Sequence, residues 1–111
     1  LLSTGKASMR SAKVFFNFRS AGHLTEENSG TCYVFAYDLS YGGPPVSLTM
    51  PVKPEPYTFV EFPPFFDGLL PEGMQLEGLL KQKKIDRDDK FSQLLAVGAD
   101  MVGAVSAEEA S

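Results

Sequence analysis

Phe65-Phe66-Asp67-Gly68-Leu69-Leu70-Pro71-Glu72-Gly73 concentrates four large apolar side chains and three backbone breakers in nine residues. Residues three and four apart share a helical face, so one Phe and one Leu fall on a common apolar stripe. Pro71 prevents a helix from continuing past Leu70. The regular element that fits is a short, buried turn of helix starting at Pro63 or Pro64, where proline suits the first turn. So short an element has no stability of its own and needs a core to bury against.

That core has to come from the residues before it. Ala12, Val14, Phe16 and Phe18 alternate with Lys13, Phe15, Asn17 and Arg19, the period of a half-buried strand. Ser20-Ala21-Gly22 offers a turn or bulge, residues 22–25 a second short strand, and residues 26–30 a solvated turn. Residues 31–37 read as a third strand with Tyr33, Phe35 and Tyr37 on one face. Gly42-Gly43-Pro44-Pro45 interrupts regular structure, and residues 46–50 alternate once more as a short strand that Pro51 stops. Residues 51–64 hold five prolines around Tyr57, Phe59, Val60 and Phe62, which predicts a stiff, extended loop with few hydrogen bonds.

Beyond the breaker, residues 73–84 predict a helix with Leu76, Leu79 and Leu80 on one stripe and Lys81, Lys83 and Lys84 in its last turn. A further helix starts after Asp86, capped by Asp86 or Asp88, buries Phe91, Leu94 and Leu95, and ends at a left-handed Gly98. Residues 102–105 read as a final strand. The fold class is therefore α+β: a small antiparallel sheet or partial barrel, then two or three short helices and a final short strand. At 111 residues there is one domain's worth of chain. We place it at 12–106, with 1–11 disordered or a cloning remnant and 107–111 a frayed tail.

Little in the chain points to chemistry. His23, the single histidine, sits in a predicted hairpin with no local serine or cysteine partner, and Cys32 reads as a small buried hydrophobe. One Cys and one His do not make a zinc set. Asp86, Asp88 and Asp89 lack the spacing, central Gly and closing Glu of a calcium loop. Gly5-Lys6-Ala7-Ser8 has neither the upstream glycine nor the strand of a phosphate loop. A net charge of -4 argues against a dedicated nucleic-acid binder, and the three lysines read as a solvated helix end. The absence of an apolar run of ~20 residues argues against a membrane span, and the unpaired cysteine fits a reducing, cytoplasmic setting. Catalytic, cofactor and metal roles are thus not expected.

Several segments in order, Gly22-His23-Leu24-Thr25, Phe35-Ala36-Tyr37, Pro45-Val46-Ser47-Leu48-Thr49-Met50-Pro51, the FFDGLLPEG run, Phe91-Ser92-Gln93-Leu94-Leu95 and residues 98–105, have counterparts in a known family. Across residues 14–105 the chain resembles the first N-terminal subdomain of HipA-type Ser/Thr kinase toxins. Family toxins continue into a second subdomain and a kinase domain, and none of the catalytic residues of that kinase has a counterpart here. In split, three-component versions, a small protein similar to this subdomain, HipS-like, accompanies a shortened kinase and a helix-turn-helix repressor and acts as the antitoxin. The resemblance implies a non-enzymatic inhibitor of a HipA-like kinase, touching DNA only through the repressor. The alternative it leaves open is a scaffold or activator that completes the fold of the shortened kinase. On either reading the proline-stiffened loop presents the expected partner-binding residues, Tyr57, Phe59, Phe62 and Glu55, at low ordering entropy.

Overall fold

The computed structural model describes residues 9–27, 30–101 and 103–110. Five strands form one open antiparallel sheet: β1 (Arg10–Phe16), β2 (Arg19–Glu27), β3 (Cys32–Tyr37), β4 (Tyr57–Phe59) and β5 (Val105–Glu109), in the order β4-β3-β2-β1-β5. Three helices, α1 (Pro64–Asp67), α2 (Gly73–Lys83) and α3 (Lys90–Val97), lie between β4 and β5 in the chain, and a 3-10 turn (Gly98–Asp100) follows α3. The expected α+β class holds, with an open sheet and not a barrel.

Alternation places Ala12, Val14, Leu24, Tyr33, Phe35, Tyr37, Val105 and Ala107 on one buried face. Phe66 of α1 and Phe91 and Leu94 of α3 complete the core against it. The Phe66 ring lies 5.7 Å from Phe35, and Phe35 meets Tyr37 edge-on at 4.9 Å, within the favoured range for aromatic pairs. Of the adjacent phenylalanines, Phe66 is fully buried and Phe65 only partly.

Local geometry departs from expectation at several places. The first hairpin turns at Asn17 and Phe18, both with positive φ (50° and 68°), so Phe18 leaves the strand and is 93% exposed. This is the two-residue turn whose backbone twist matches the strands; Asn tolerates the left-handed region, whereas Phe gives no signal for it. The 20–22 segment is instead a bulge within β2, the register shifting opposite Val14 and Phe15. Gly22 is needed there because a Cβ would come within 2.3 Å of the Ala36 carbonyl oxygen. Residues 46–50 make a lone bridge, Ser47 to Met50, in place of a strand. The strand position beside β3 is taken by β4, which pairs with it from inside the proline-rich loop.

The remaining differences concern the ends. Asp89, not Asp86 or Asp88, caps α3, its carboxylate accepting from the Ser92 amide at 3.1 Å. Gly98 is right-handed (φ -56°) and carries the chain into the 3-10 turn. Its lack of a side chain serves a close approach, since a Cβ would lie 2.1 Å from the Ala107 carbonyl oxygen. The last strand begins at Val105 and runs through Glu109, over residues expected to fray, because β1 supplies a partner for it. Val102 and Ser111 lie outside the described residues, as do residues 1–8 of the expected disordered start. Arg10 and Ser11 belong to β1.

Arg10 ties the sheet to α3. Its guanidinium donates to Glu26 Oε1 at 2.7 Å, Ser92 Oγ at 2.7 Å and Asp89 Oδ1 at 2.9 Å, and stands 5.0 Å over the Phe91 ring. Burial works against ionisation of Asp89, but hydrogen bonds from Arg10 and Ser92 outweigh it and hold the carboxyl below its ordinary range. A carboxyl depressed in the folded state contributes stability in full above its unfolded value of about 4 and loses it as pH falls through the folded one. Asp89→Asn is therefore expected to lower the urea midpoint at neutral pH and to flatten its decline below about pH 4. An acid decline as steep as wild type would place the linkage elsewhere.

Candidate partner-binding site

A frame of tyrosines holds the loop that leads into α1. The Tyr37 hydroxyl donates to the Met50 carbonyl and accepts from the Val46 amide at 3.0 Å, while Tyr41 donates to the Pro44 carbonyl at 2.6 Å. Burial raises the Tyr37 pKa, so its proton remains available to Met50 at neutral pH. These bonds supply partners to a segment rich in prolines, which have no amide hydrogen to offer. Within the loop the Tyr57 hydroxyl donates to the Pro51 carbonyl at 2.5 Å, and the Lys53 ammonium stands 4.3 Å over the Tyr57 ring.

Tyr57 and Phe59 come together. With Met50, Pro63, Pro64 and Phe65 they wall an apolar groove of about 280 Å³ between β4 and α1. The volume suits one large side chain, and its walls are set by a strand, a helix start and a fully buried Pro63. Phe62 turns the other way and meets Tyr33 edge-on at 5.4 Å against the core. Glu55 is exposed on the loop and does not line the groove.

Phe65 and Met50 are not among the expected binding residues. Phe65 is partly buried against the core and also walls the groove. Val60, beside Phe59, is 80% exposed, and Leu48 on the preceding turn is more so. Single exposed apolar residues are ordinary, but these two flank in sequence the segments that build the groove.

Elsewhere, His23 Nδ1 lies 3.3 Å from Asp38, and the Ser20 hydroxyl donates to the same carboxylate at 2.7 Å. The serine proton is thus directed to Asp38 and not to the imidazole, the reverse of an activated nucleophile. Among the described residues no cluster of three or more His, Cys, Asp or Glu is arranged to hold a metal, and no helix is long and apolar enough to cross a membrane.

Comparison with known proteins places the chain in a family. A protein of Haemophilus influenzae with no assigned function is 36% identical over 101 residues, covering 91% of this chain and 93% of its own. Y4mE, a candidate kinase of Sinorhizobium fredii, is 29% identical over 102 residues, and the chain spans 24% of its length. A solved structure described as the N-terminal domain of HipA toxin superposes with a TM-score of 0.70 at 32% identity, over 92% of this chain and 93% of that one. The family model for the HipA N-terminal domain matches residues 12–108, and the chain belongs to that family.

Proposed function

We propose that this chain is a non-enzymatic antitoxin that binds a HipA-type Ser/Thr kinase and inhibits it. The observation that carries the reading is the groove of Tyr57, Phe59 and Phe65 on a loop held rigid by prolines and tyrosine hydrogen bonds. Rigid aromatic surface orders little on binding, so its burial is kept as affinity. The loop either lays its rim against the kinase or seats a kinase side chain in the groove; both bury Tyr57 and Phe59. A helix-turn-helix repressor completes the complex in the cytoplasm and makes the DNA contacts. No catalytic, cofactor or metal role belongs to this chain.

A second reading, a scaffold that completes a shortened kinase, is favoured by the similarity to 24% of Y4mE, where a like segment is part of a longer candidate kinase. Co-expression separates the two. An antitoxin rescues growth from the toxic kinase, whereas a scaffold makes toxicity appear. In the rescue assay, Tyr57→Ala with Phe59→Ala is expected to weaken kinase binding by roughly 30-fold or more, the usual loss at a hot spot. Full inhibition by a folded double variant would remove the loop from the mechanism.

A further inference from the structure

Phe18 sits where the fold has least use for it. Both central residues of the turn between β1 and β2 have positive φ, a geometry for which Asn-Gly is a preferred pair, yet Asn17 is followed by a phenylalanine at φ 68°. A bulky side chain is strained in that region, whereas glycine is not. Packing does not offset the strain, because the ring is 93% exposed. An exposed ring alone is ordinary, but one held at positive φ points to a use outside the fold. Beside it a groove of about 280 Å³ is walled by Phe15, Phe18, Ala99, Ser106, Ala107 and Glu108. Phe15 follows the fully buried Val14 along β1, so it faces away from the core and is only half-buried.

We propose that Phe18 and this groove dock the body of the HipA-type kinase partner. The inference rests on the kinase reading above and adds to it a second contact surface, away from the proline-rich loop. The occupant is selected by where the chain leads in longer relatives. The fold is shared with the N-terminal domain of HipA toxin, and a like segment makes up 24% of the candidate kinase Y4mE. An N-terminal domain hands the chain on from its last element. Here that element is β5, an edge strand of the sheet, which supplies Ser106, Ala107 and Glu108 to the groove. The rest of such a protein therefore starts alongside the groove, and a kinase supplied as a separate chain meets the same surface. Burial of the Phe18 ring on docking offsets the strain that the free domain carries at this turn.

Fold and docking make opposite demands on position 18, and one titration reads both. The full chain is titrated against the HipA-type kinase of the co-expression assay, with melting followed in parallel. Phe18→Gly is expected to raise the melting temperature by about 4 °C by relieving the left-handed strain, while weakening kinase binding at least about tenfold. Phe18→Asn keeps a residue that tolerates the turn and removes the ring, so it is expected to weaken binding as much without lowering the melting temperature. Tyr57→Ala with Phe59→Ala acts at the other edge of the sheet, on β4, and its effect on binding should add to that of Phe18→Gly. Wild-type affinity in both Phe18 variants would overturn this inference and leave the kinase reading standing. Absence of binding by the wild-type chain would overturn both. Unchanged kinase binding with loss of self-association, or of binding to the helix-turn-helix repressor, would give Phe18 another occupant and overturn the inference as well.

Discussion

Phe66→Ala is expected to cost about 3–5 kcal/mol of unfolding free energy, a large part of the stability of an ordinary domain. The side chain is 0% exposed and sits between Phe35 at 5.7 Å and Phe65 at 5.2 Å. A four-residue helix cannot hold itself in place, so α1 is where it is because Phe66 is buried under it. Removing the ring leaves a cavity and releases the anchor at once. Urea unfolding measures the loss, and a drop below about 1.5 kcal/mol would mean that the site collapses around the missing ring. Phe65→Ala supplies the contrast: partly exposed on the groove wall, it should lose less stability and more partner affinity.

Arg10→Ala is expected to lower the melting temperature by about 10 °C or more, since it leaves Glu26 without its cation. The Glu26 side chain is only 9% exposed, and its other hydrogen bond comes from the Tyr33 hydroxyl at 3.2 Å. Burial, reinforced by the Glu26 carboxylate, pushes Tyr33 up to about 12, so that hydroxyl is a donor throughout the neutral range. The hydrogen bond to Glu26 is foremost in holding Arg10 charged above its ordinary value. Lysine cannot replace the fork that serves Glu26, Ser92 and Asp89 together, so Arg10→Lys should recover less than half of the loss. Arg10→Met combined with Glu26→Gln should recover more, because no buried charge is then stranded. A melting point within about 2 °C of wild type for Arg10→Ala would place the pair among ordinary surface ion pairs.

Elements marked by a periodic pattern are legible in the sequence alone. Tyr33, Phe35 and Tyr37 form the buried face of β3, α1 starts at Pro64 as expected though it ends at Asp67 and not at Leu70, and α2 keeps its expected start and its basic last turn. Where a boundary depends on a partner, local reading fails. Phe18 looks like the next apolar residue of β1 until β2 pulls the chain into a positive-φ turn. Residues 107–109 look like a tail until β1 pairs with them. Residues 46–50 alternate like a strand, yet the edge of β3 is taken by Tyr57–Phe59.

The candidate site divides in the same way. Tyr57, Phe59, Phe62 and Glu55 all lie on the proline-stiffened loop, which can be read directly; that Tyr57 and Phe59 share a groove while Phe62 turns to Tyr33 cannot. Composition and periodicity determined by themselves an α+β domain with an aromatic core, a short helix pinned by one or both of Phe65 and Phe66 and a stiff aromatic loop before it. These follow from side-chain spacing and from the fixed φ of proline, which are properties of neighbouring residues. Tertiary structure alone decided which glycines serve close approach, that Arg10 meets Asp89 across 79 positions of chain, and that Phe65 faces a groove. Those contacts join residues far apart in sequence, and their energies exist only once the sheet has brought the partners together.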